Sequence, residues 1–183
     1  MENAFDSGDG AALSRADLRW FCENGLVSGM VMSGTFDETP LRAGEVATAL
    51  PEEADESVYF IGRIRTPWKS RSECPRQGDA AGGPVCRIEV ADIWQEALAG
   101  IESNARLQIL YWMHHARRDL IRQCPKSHAR TKGTFAIRSP NRPNPIASSV
   151  VSLLGVEGNV LVVRGLDCVD GTPVVDIKPE YSP

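Results

Sequence analysis

Short apolar runs separated by glycine- and proline-rich turns constrain the fold of this chain more than any other feature. The runs are VYFIGRIRT (58–66), VCRIEVA (85–91), LQILYWMHH (107–115), TFAIRS (134–139), ASSVVSLLGVEGNVLVVRGLD (147–167) and CVDGTPVVDIKP (168–179). They are rich in β-branched and aromatic residues and most alternate apolar with polar positions, which predicts strands. Turns are expected at Glu157-Gly158, as a hairpin, and at Asp170-Gly171. This pattern predicts a mainly β fold, a barrel or a sandwich.

Helices are predicted at only two places. LSRADLRWFCENG (13–25) begins with a capping Ser14 and ends at Asn24-Gly25. DIWQEALAGIE (92–102) has Asp92 as its expected N-cap and Gly100 as its stop. The fold is therefore expected to carry one or two short helices beside the strands.

The composition divides the chain at residue 57. Residues 1–56 carry 3 basic and 12 acidic side chains and read, apart from the first helix, as irregular or linking chain. We predict an acidic N-terminal extension over 1–56 and one β domain over 57–183. Residues 101–145 carry 9 basic and 2 acidic side chains in a protein of net charge −4. Such a segment is typical of a polyanion-binding surface, and equally of a solvated basic face balanced by the acidic extension.

Several classes of protein are excluded by what the sequence lacks. The N-terminus has no signal-peptide pattern, and no apolar run reaches the ~20 residues that a membrane helix needs. The five cysteines form no C-x-x-C pair, which favours free thiols in a reducing compartment. His114, His115 and His128 have no metal-ligand spacing. We therefore expect a cytoplasmic protein with neither a membrane anchor nor a metal.

Candidate functional residues lie in loops that combine rigidity with polar groups. PRQG (75–78), MHH (113–115), RSPNRPNP (138–145) and DGTP (170–173) each adjoin a predicted strand. Prolines fix their own φ angle and bias the preceding residue towards extended backbone, so such loops lose little entropy on binding. If the strands close on one another, these loops converge at one end.

The same segments identify a family resemblance. FIGRIRTPW, CPRQG, LYWMHH, GTFAIRSPNRPNPIA and LDCVDGTPVVDIKPEYSP resemble the signature segments of the TsaA-like, or TrmO, family, over about residues 58 to 183. The resemblance implies a small β-barrel that dimerises, with a cofactor site near the subunit interface. It also implies an S-adenosylmethionine-dependent methyltransferase that methylates N6 of threonylcarbamoyladenosine in tRNA.

Carried onto this chain, the resemblance gives a set of cofactor contacts. They are Pro75, Arg76, Gln77, His114, His115, Arg138, Ser148, Asp170, Gly171, Thr172 and Pro173. The residue types suit the ligand, because Arg76 or Arg138 can bind its carboxylate and Gln77, Asp170 and Thr172 offer donors and acceptors for its ribose and adenine.

The reaction that the resemblance implies is an in-line displacement at a methyl group, for which alignment of the reactants supplies much of the rate. Asp170 or Asp176 is a candidate to accept the proton of the attacking nitrogen. Arg142 and Asn144 are candidates to recognise the threonyl carboxylate or the carbamoyl oxygen of the substrate. Without the resemblance, Asp170-Gly171 reads as an ordinary turn and the two histidines as a structural pair.

A second set of residues is expected to contact tRNA phosphates. It comprises Arg117, Arg118, Arg122, Lys126, Arg130 and Lys132. Two other hypotheses stay open, namely a methyltransferase of the same fold that acts on a small molecule, and a non-catalytic module that binds cofactor or RNA.

Three departures from the family pattern bear on these alternatives. Ala147 stands where glycine is usual, and ESNARLQILYW lacks an aromatic-Ser-His-x-Trp pattern. The sequence printed here ends at Pro183, so we expect no second domain after the barrel.

Overall fold

Two sheets make up the fold seen in a computed structural model, which describes residues 40–125 and 130–181. The larger sheet is a closed barrel of β2 (Gly62–Arg65), β3 (Val85–Val90), β4 (Arg106–Trp112), β7 (Ile146–Glu157), β8 (Val160–Arg164) and β9 (Pro173–Pro179). The smaller sheet joins β1 (Val46–Ala47), β5 (Leu120–Gln123) and β6 (Lys132–Gly133). The predicted mainly β barrel is confirmed.

The barrel closes in the order β2-β3-β8-β7-β4-β9, and β9 pairs back onto β2. Every neighbouring pair in it is antiparallel. Strands β2, β4 and β8 therefore run in one direction and β3, β7 and β9 in the other. The connections β2–β3 (66–84), β4–β7 (113–145) and β8–β9 (165–172) consequently leave and enter the barrel at the same end. We call this end the mouth and these three connections the mouth crossings.

Alternation along the strands fills the barrel. In β4, Leu107, Ile109 and Tyr111 are buried and the residues between them are not. The same alternation buries Leu161 and Val163 of β8. Each fully buried aliphatic side chain contributes about 1.5–3 kcal/mol relative to an exposed one, so this shared interior is the main source of stability. The largest fully buried side chains of the barrel are Ile64, Ile88, Leu107, Ile109, Leu161, Leu166, Val151, Val163 and Val174.

Four local predictions were wrong. TFAIRS was expected to be a strand, but Thr134–Ala136 form a 3-10 helix and Phe135 is 85% exposed. The basic connection after His115 contains β5 and β6, and the expected linking chain contains β1, which pairs with β5. The hairpin turn lies at Gly158-Asn159, one residue after the expected position.

The second predicted helix is present but has a different form. Asp92–Leu98 is a 3-10 helix in which Asp92 is the first residue rather than the cap, and no side chain caps it. Gly100, the predicted stop, has a positive φ and leads into a second short 3-10 helix at Ile101–Ser103. The helix predicted at 13–25 lies outside the described residues. Among the described residues, no helix is long and apolar enough to span a membrane.

Candidate functional site at the barrel mouth

Two of the three mouth crossings, β2–β3 and β8–β9, are tied to each other by hydrogen bonds. Thr66 Oγ1 donates to the Cys168 carbonyl oxygen (2.8 Å), and the Asp170 amide donates to the Trp68 carbonyl oxygen (2.8 Å). Gly78 lies against Gly165 so closely that a Cβ on Gly78 would stand 1.8 Å from the Gly165 carbonyl oxygen. Only glycine fits there without a shift of backbone. The β2–β3 and β8–β9 crossings therefore form one packed unit.

A cleft opens where the third crossing meets this unit. It has an empty volume of about 330 Å³, including open solvent, and all three crossings contribute to it. Its lining comprises Arg71, Met113, His114, His115, Ala116, Pro140, Val169 and Thr172. Of the residues predicted to contact a cofactor, the structure places His114, His115 and Thr172 in the cleft. Arg71, Met113, Pro140 and Val169 are lining residues that the sequence did not single out.

His114 is held in its neutral form. Burial lowers the pKa of its imidazole, and the neighbouring His115 and Arg63 lower it further, to about 4. The two histidine rings lie with their centroids 3.9 Å apart. A neutral His114 can donate or accept a hydrogen bond near neutral pH without placing a positive charge in the cleft.

Asp170 occupies the turn at the edge of the cleft. Its Oδ1 accepts from the Thr66 amide (3.1 Å) and its Oδ2 from Lys69 Nζ (2.8 Å). Burial acts to raise the pKa of this carboxyl, but these two bonds outweigh burial and hold the pKa below its ordinary value. Gly171, with φ +80°, closes the turn, and the Thr172 hydroxyl donates to the Val169 carbonyl oxygen (2.6 Å). Both carboxylate oxygens of Asp170 thus have partners from the β2–β3 crossing.

The RSPNRPNP loop is fastened from several sides. Buried Gln123 Nε2 donates to the Asn141 carbonyl oxygen (2.6 Å), and Arg118 Nε donates to the Pro143 carbonyl oxygen (2.6 Å). Arg142 turns back on its own loop, donating to the carbonyl oxygens of Ser139 (2.8 Å) and Ile137 (2.7 Å). Two of the three guanidinium nitrogens of Arg142 are thereby occupied, whereas exposed Asn144 makes no side-chain hydrogen bond within the described residues.

The other predicted cofactor contacts do not line the cleft. Pro75, Arg76 and Gln77 are exposed on the β2–β3 crossing. Exposed Arg138 donates to the Ser148 carbonyl oxygen (3.3 Å), and the Ser148 hydroxyl accepts from Gln108 (3.0 Å). The predicted contacts include residues of all three mouth crossings, while several side chains that line the cleft come from neighbouring positions.

A half-buried polar cluster was missed by the sequence analysis. Tyr111 donates its hydroxyl hydrogen to Asp167 Oδ1 (2.5 Å), Ser149 Oγ lies 3.3 Å from the same oxygen, and the two hydroxyls lie 2.9 Å apart. Tyr111 is 3% exposed, so its ring belongs to the barrel core. The available signal was its hydroxyl group, which needs a polar partner when the ring is buried.

The predicted RNA-contacting residues divide into two kinds. Arg117 binds Asp119 through Nε and Nη2, and Arg118 lies 5.6 Å from the Trp112 ring centre besides holding Pro143. Arg122, Arg130 and Lys132 are exposed on or beside the smaller sheet. Lys126 lies outside the described residues. Arg117 and Arg118 therefore hold the crossing in place, and the exposed three remain available to solvent.

The barrel domain matches a known family over most of its length. The model of the tRNA-methyltransferase O N-terminal domain matches residues 63–183. This chain belongs to the TrmO family. The crystal structure of TrmO from Pseudomonas aeruginosa superposes with a TM-score of 0.58 at 36% identity, covering 70% of this chain and 57% of that chain. This chain therefore spans less than two thirds of the solved TrmO chain.

Two relatives are similar over a larger share of their own length. One is a protein of Rhizobium radiobacter named "Probable S-adenosyl-L-methionine-binding protein VirR", 54% identical over 79% of this chain and 82% of the relative. The other is an "S-adenosyl-L-methionine-binding protein" of Archaeoglobus fulgidus, 44% identical over 67% of this chain and 87% of the relative. The family match begins at Arg63, near the start of β2, so it takes in all three mouth crossings.

Proposed function

We propose that this protein is an S-adenosylmethionine-dependent methyltransferase whose cofactor binds at the barrel mouth. The observation that carries the proposal is the convergence of the three mouth crossings on one cleft. Binding sites on closed β-barrels lie in such mouths, where loops are free to vary on a rigid scaffold. The names of the TrmO relatives support the choice of cofactor.

The groups at the mouth fit this cofactor chemically. Met113, Ala116, Pro140 and Val169 give the cleft an apolar lining for an adenine ring. The exposed guanidinium groups of Arg76 and Arg138 suit its carboxylate. The cofactor supplies an activated methyl group, and the protein's part is to hold donor and acceptor in line.

For the substrate we propose threonylcarbamoyladenosine in tRNA, methylated at N6. The exposed basic side chains of Arg122, Arg130 and Lys132 support a polyanionic substrate. Asn144, which is exposed on the RSPNRPNP loop, is proposed to bind the carbamoyl or threonyl group, together with the remaining Nη1 of Arg142. Asp170 stays a candidate to orient or deprotonate the nitrogen, although its bond to Lys69 makes it a weak base.

A small-molecule substrate is the second candidate. Arg117 and Arg118 form bonds within their own crossing, so fewer basic side chains face solvent than the sequence suggested. This observation favours a small substrate over tRNA. The test is to incubate the protein with labelled S-adenosylmethionine and tRNA with or without the threonylcarbamoyl group, followed by nucleoside mass spectrometry. We expect a methyl group only on the modified tRNA. Cofactor binding without methyl transfer to tRNA would contradict the tRNA assignment and favour the small-molecule candidate.

Substitution of Arg142 tests substrate recognition separately from cofactor binding. Arg142→Ala is expected to abolish methyl transfer while the affinity for S-adenosylmethionine changes little, with Arg142→Lys as the matched variant that keeps the charge. An equal loss of cofactor affinity would contradict a role in substrate recognition and leave only its bonds to Ser139 and Ile137.

We also propose a homodimer with the cofactor site near the subunit interface. The exposed apolar side chains Ile146, Leu154 and Val156 on β7 support a partner surface along the barrel. Sedimentation velocity is expected to give twice the 20.0 kDa chain mass. A single species at the chain mass would contradict the dimer.

A further inference from the structure

Asp167 is a carboxylate at the mouth that binds no cation among the described residues. It belongs to the β8–β9 crossing and is half-buried. Its Oδ1 accepts from Tyr111 and lies within reach of the Ser149 hydroxyl, while its Oδ2 has no hydrogen-bond partner in the described part of the chain. Removing a carboxylate from water is costly unless a charge or donors compensate it. This side chain is thus oriented from one side and open on the other.

The two hydroxyl groups fix the direction of the open oxygen. Tyr111 comes from the inner face of β4 and Ser149 from β7, so two rigid strands hold Oδ1 in place. Hydroxyl donors stabilise the ionised carboxylate without neutralising its charge. The negative charge therefore remains to be compensated by something outside this cluster.

The β2–β3 crossing flanks Asp167 on both sides. Thr66 Oγ1 binds the Cys168 carbonyl oxygen, and Gly78 packs on Gly165. Cys74 lies close by: burial raises the pKa of its thiol, and the charge of Asp167 raises it further. Arg76 follows Cys74 by two residues, a chain length of at most ~7 Å. Arg76 is exposed on this same crossing.

We infer that Asp167 binds the α-ammonium group of the methionine part of the cofactor, with Tyr111 and Ser149 as its positioning residues. An amino acid carries its ammonium and its carboxylate on one carbon, and a site for it needs an anion and a cation at matching separation. In this proposal Asp167 supplies the anion, and exposed Arg76 of the neighbouring crossing supplies the cation. This inference rests on the proposed binding of S-adenosylmethionine at the mouth.

The test compares two ligands that differ in the amino group alone. Calorimetry would measure the affinity of the full chain for S-adenosylmethionine and for its desamino analogue, which keeps the sulfonium and the carboxylate. Asp167→Asn is expected to weaken the binding of S-adenosylmethionine roughly 10- to 100-fold, as for loss of a bond to a charged group. The affinity for the desamino analogue is expected to stay unchanged. Glu157→Gln removes one negative charge at the far end of the barrel, where Glu157 pairs with Arg87, and is expected to alter neither affinity.

Each contrary outcome has a distinct meaning. Equal weakening of both ligands by Asp167→Asn, or no weakening of either, would overturn the ammonium assignment while leaving cofactor binding intact. Failure of the unaltered protein to bind S-adenosylmethionine would instead overturn the proposed function and this inference with it.

A second variant covers the case in which Asp167→Asn does not fold. Ser149→Ala keeps the carboxylate and removes one of its two hydroxyl neighbours. We expect a weakening of S-adenosylmethionine of about 3-fold, in line with loss of one ordinary hydrogen bond, with the desamino analogue again unaffected. The same weakening for both ligands would show that Ser149 serves the fold alone and would contradict its positioning role.

Discussion

The two ends of the barrel are built from the same six strands but by opposite means. At the end away from the mouth, β7 and β8 are joined by the tight turn Gly158-Asn159, and short 3-10 helices lead from β3 to β4. At the mouth, all three crossings contribute residues to the cleft. The far end consists of one two-residue turn and a connection that is mostly 3-10 helix, whereas the mouth crossings hold polar groups through internal hydrogen bonds. The contrast supports our proposal that the cofactor binds at the mouth.

The largest difference between the two ends is expected when a close packing contact at the mouth is disturbed. Gly78→Ala would place a Cβ 1.8 Å from the Gly165 carbonyl oxygen, so the β2–β3 crossing must move. We expect a loss of about 3 kcal/mol in the free energy of unfolding, at the upper end for overpacking, together with loss of cofactor binding. Urea denaturation and calorimetry measure the two effects.

The matched control is Gly158→Ala in the far turn. A Cβ there meets nothing within 4 Å, and the cost comes only from its φ of +63°. We expect a loss of about 1 kcal/mol in the free energy of unfolding and no change in cofactor affinity. If the two alanine variants lost stability and cofactor affinity to the same extent, the two ends would not differ as described.

Gln123 tests whether the smaller sheet supports the mouth. Its side chain is 2% exposed and its amide nitrogen lies between Thr134 Oγ1 (2.9 Å) and the Asn141 carbonyl oxygen (2.6 Å). Gln123→Leu leaves these acceptors unsatisfied, which is expected to cost about 2 kcal/mol. Methyl transfer should fall more than cofactor affinity, because the RSPNRPNP loop is released. Unchanged stability would mean that the loop does not depend on this residue.

Asp170 offers a smaller effect with a defined pH dependence. Its pKa is lower in the folded protein than in the unfolded chain, so its stabilising contribution is present above the unfolded value and is lost as the pH falls through the folded value. We expect Asp170→Asn to reduce stability by about 1 kcal/mol at pH 7, since Lys69 is largely exposed. The difference between the two proteins should shrink at pH 3 in urea denaturation. If the stability difference between the two proteins grew as the pH fell, the lowered pKa of Asp170 would be contradicted.

His114 gives the smallest effect, a titration rather than a loss of function. Because its pKa is depressed to about 4 in the fold, its contribution to stability is complete above the ordinary histidine value and declines as the pH falls towards 4. An NMR titration of the ring is expected to give a midpoint near 4. A midpoint at the ordinary histidine value would show that the cleft does not bury this ring.

The sequence predicted the barrel strands because their alternation is imposed by a shared interior. β3 and β9 lie where VCRIEVA and PVVDIKP indicated them. Strands β5 and β6 were missed because LIRQ and KG are short and polar, and only pairing with each other and with β1 makes them strands. TFAIRS has strand-like residues but contains a 3-10 helix. Phe135 stays exposed within the described residues, so burial of its side chain does not favour a strand here.

The sequence indicated the segments of the candidate site better than its side chains, since only His114, His115 and Thr172 of the predicted cofactor contacts line the cleft. Rigid loops beside strands marked the three crossings, and antiparallel closure brought them together. Asp167 could not be found in the same way, because its partners Tyr111 and Ser149 come from strands distant in sequence. In the sequence, Asp167 stands alone between Leu166 and Cys168, and no motif distinguishes it from an ordinary turn residue.

Hydrogen exchange with and without S-adenosylmethionine tests the central claim most directly. The account predicts slower exchange in the three mouth crossings, 66–84, 113–145 and 165–172, and unchanged exchange in 91–105 and at Gly158-Asn159. Protection confined to the far end, or the absence of any protection at saturating cofactor, would contradict it.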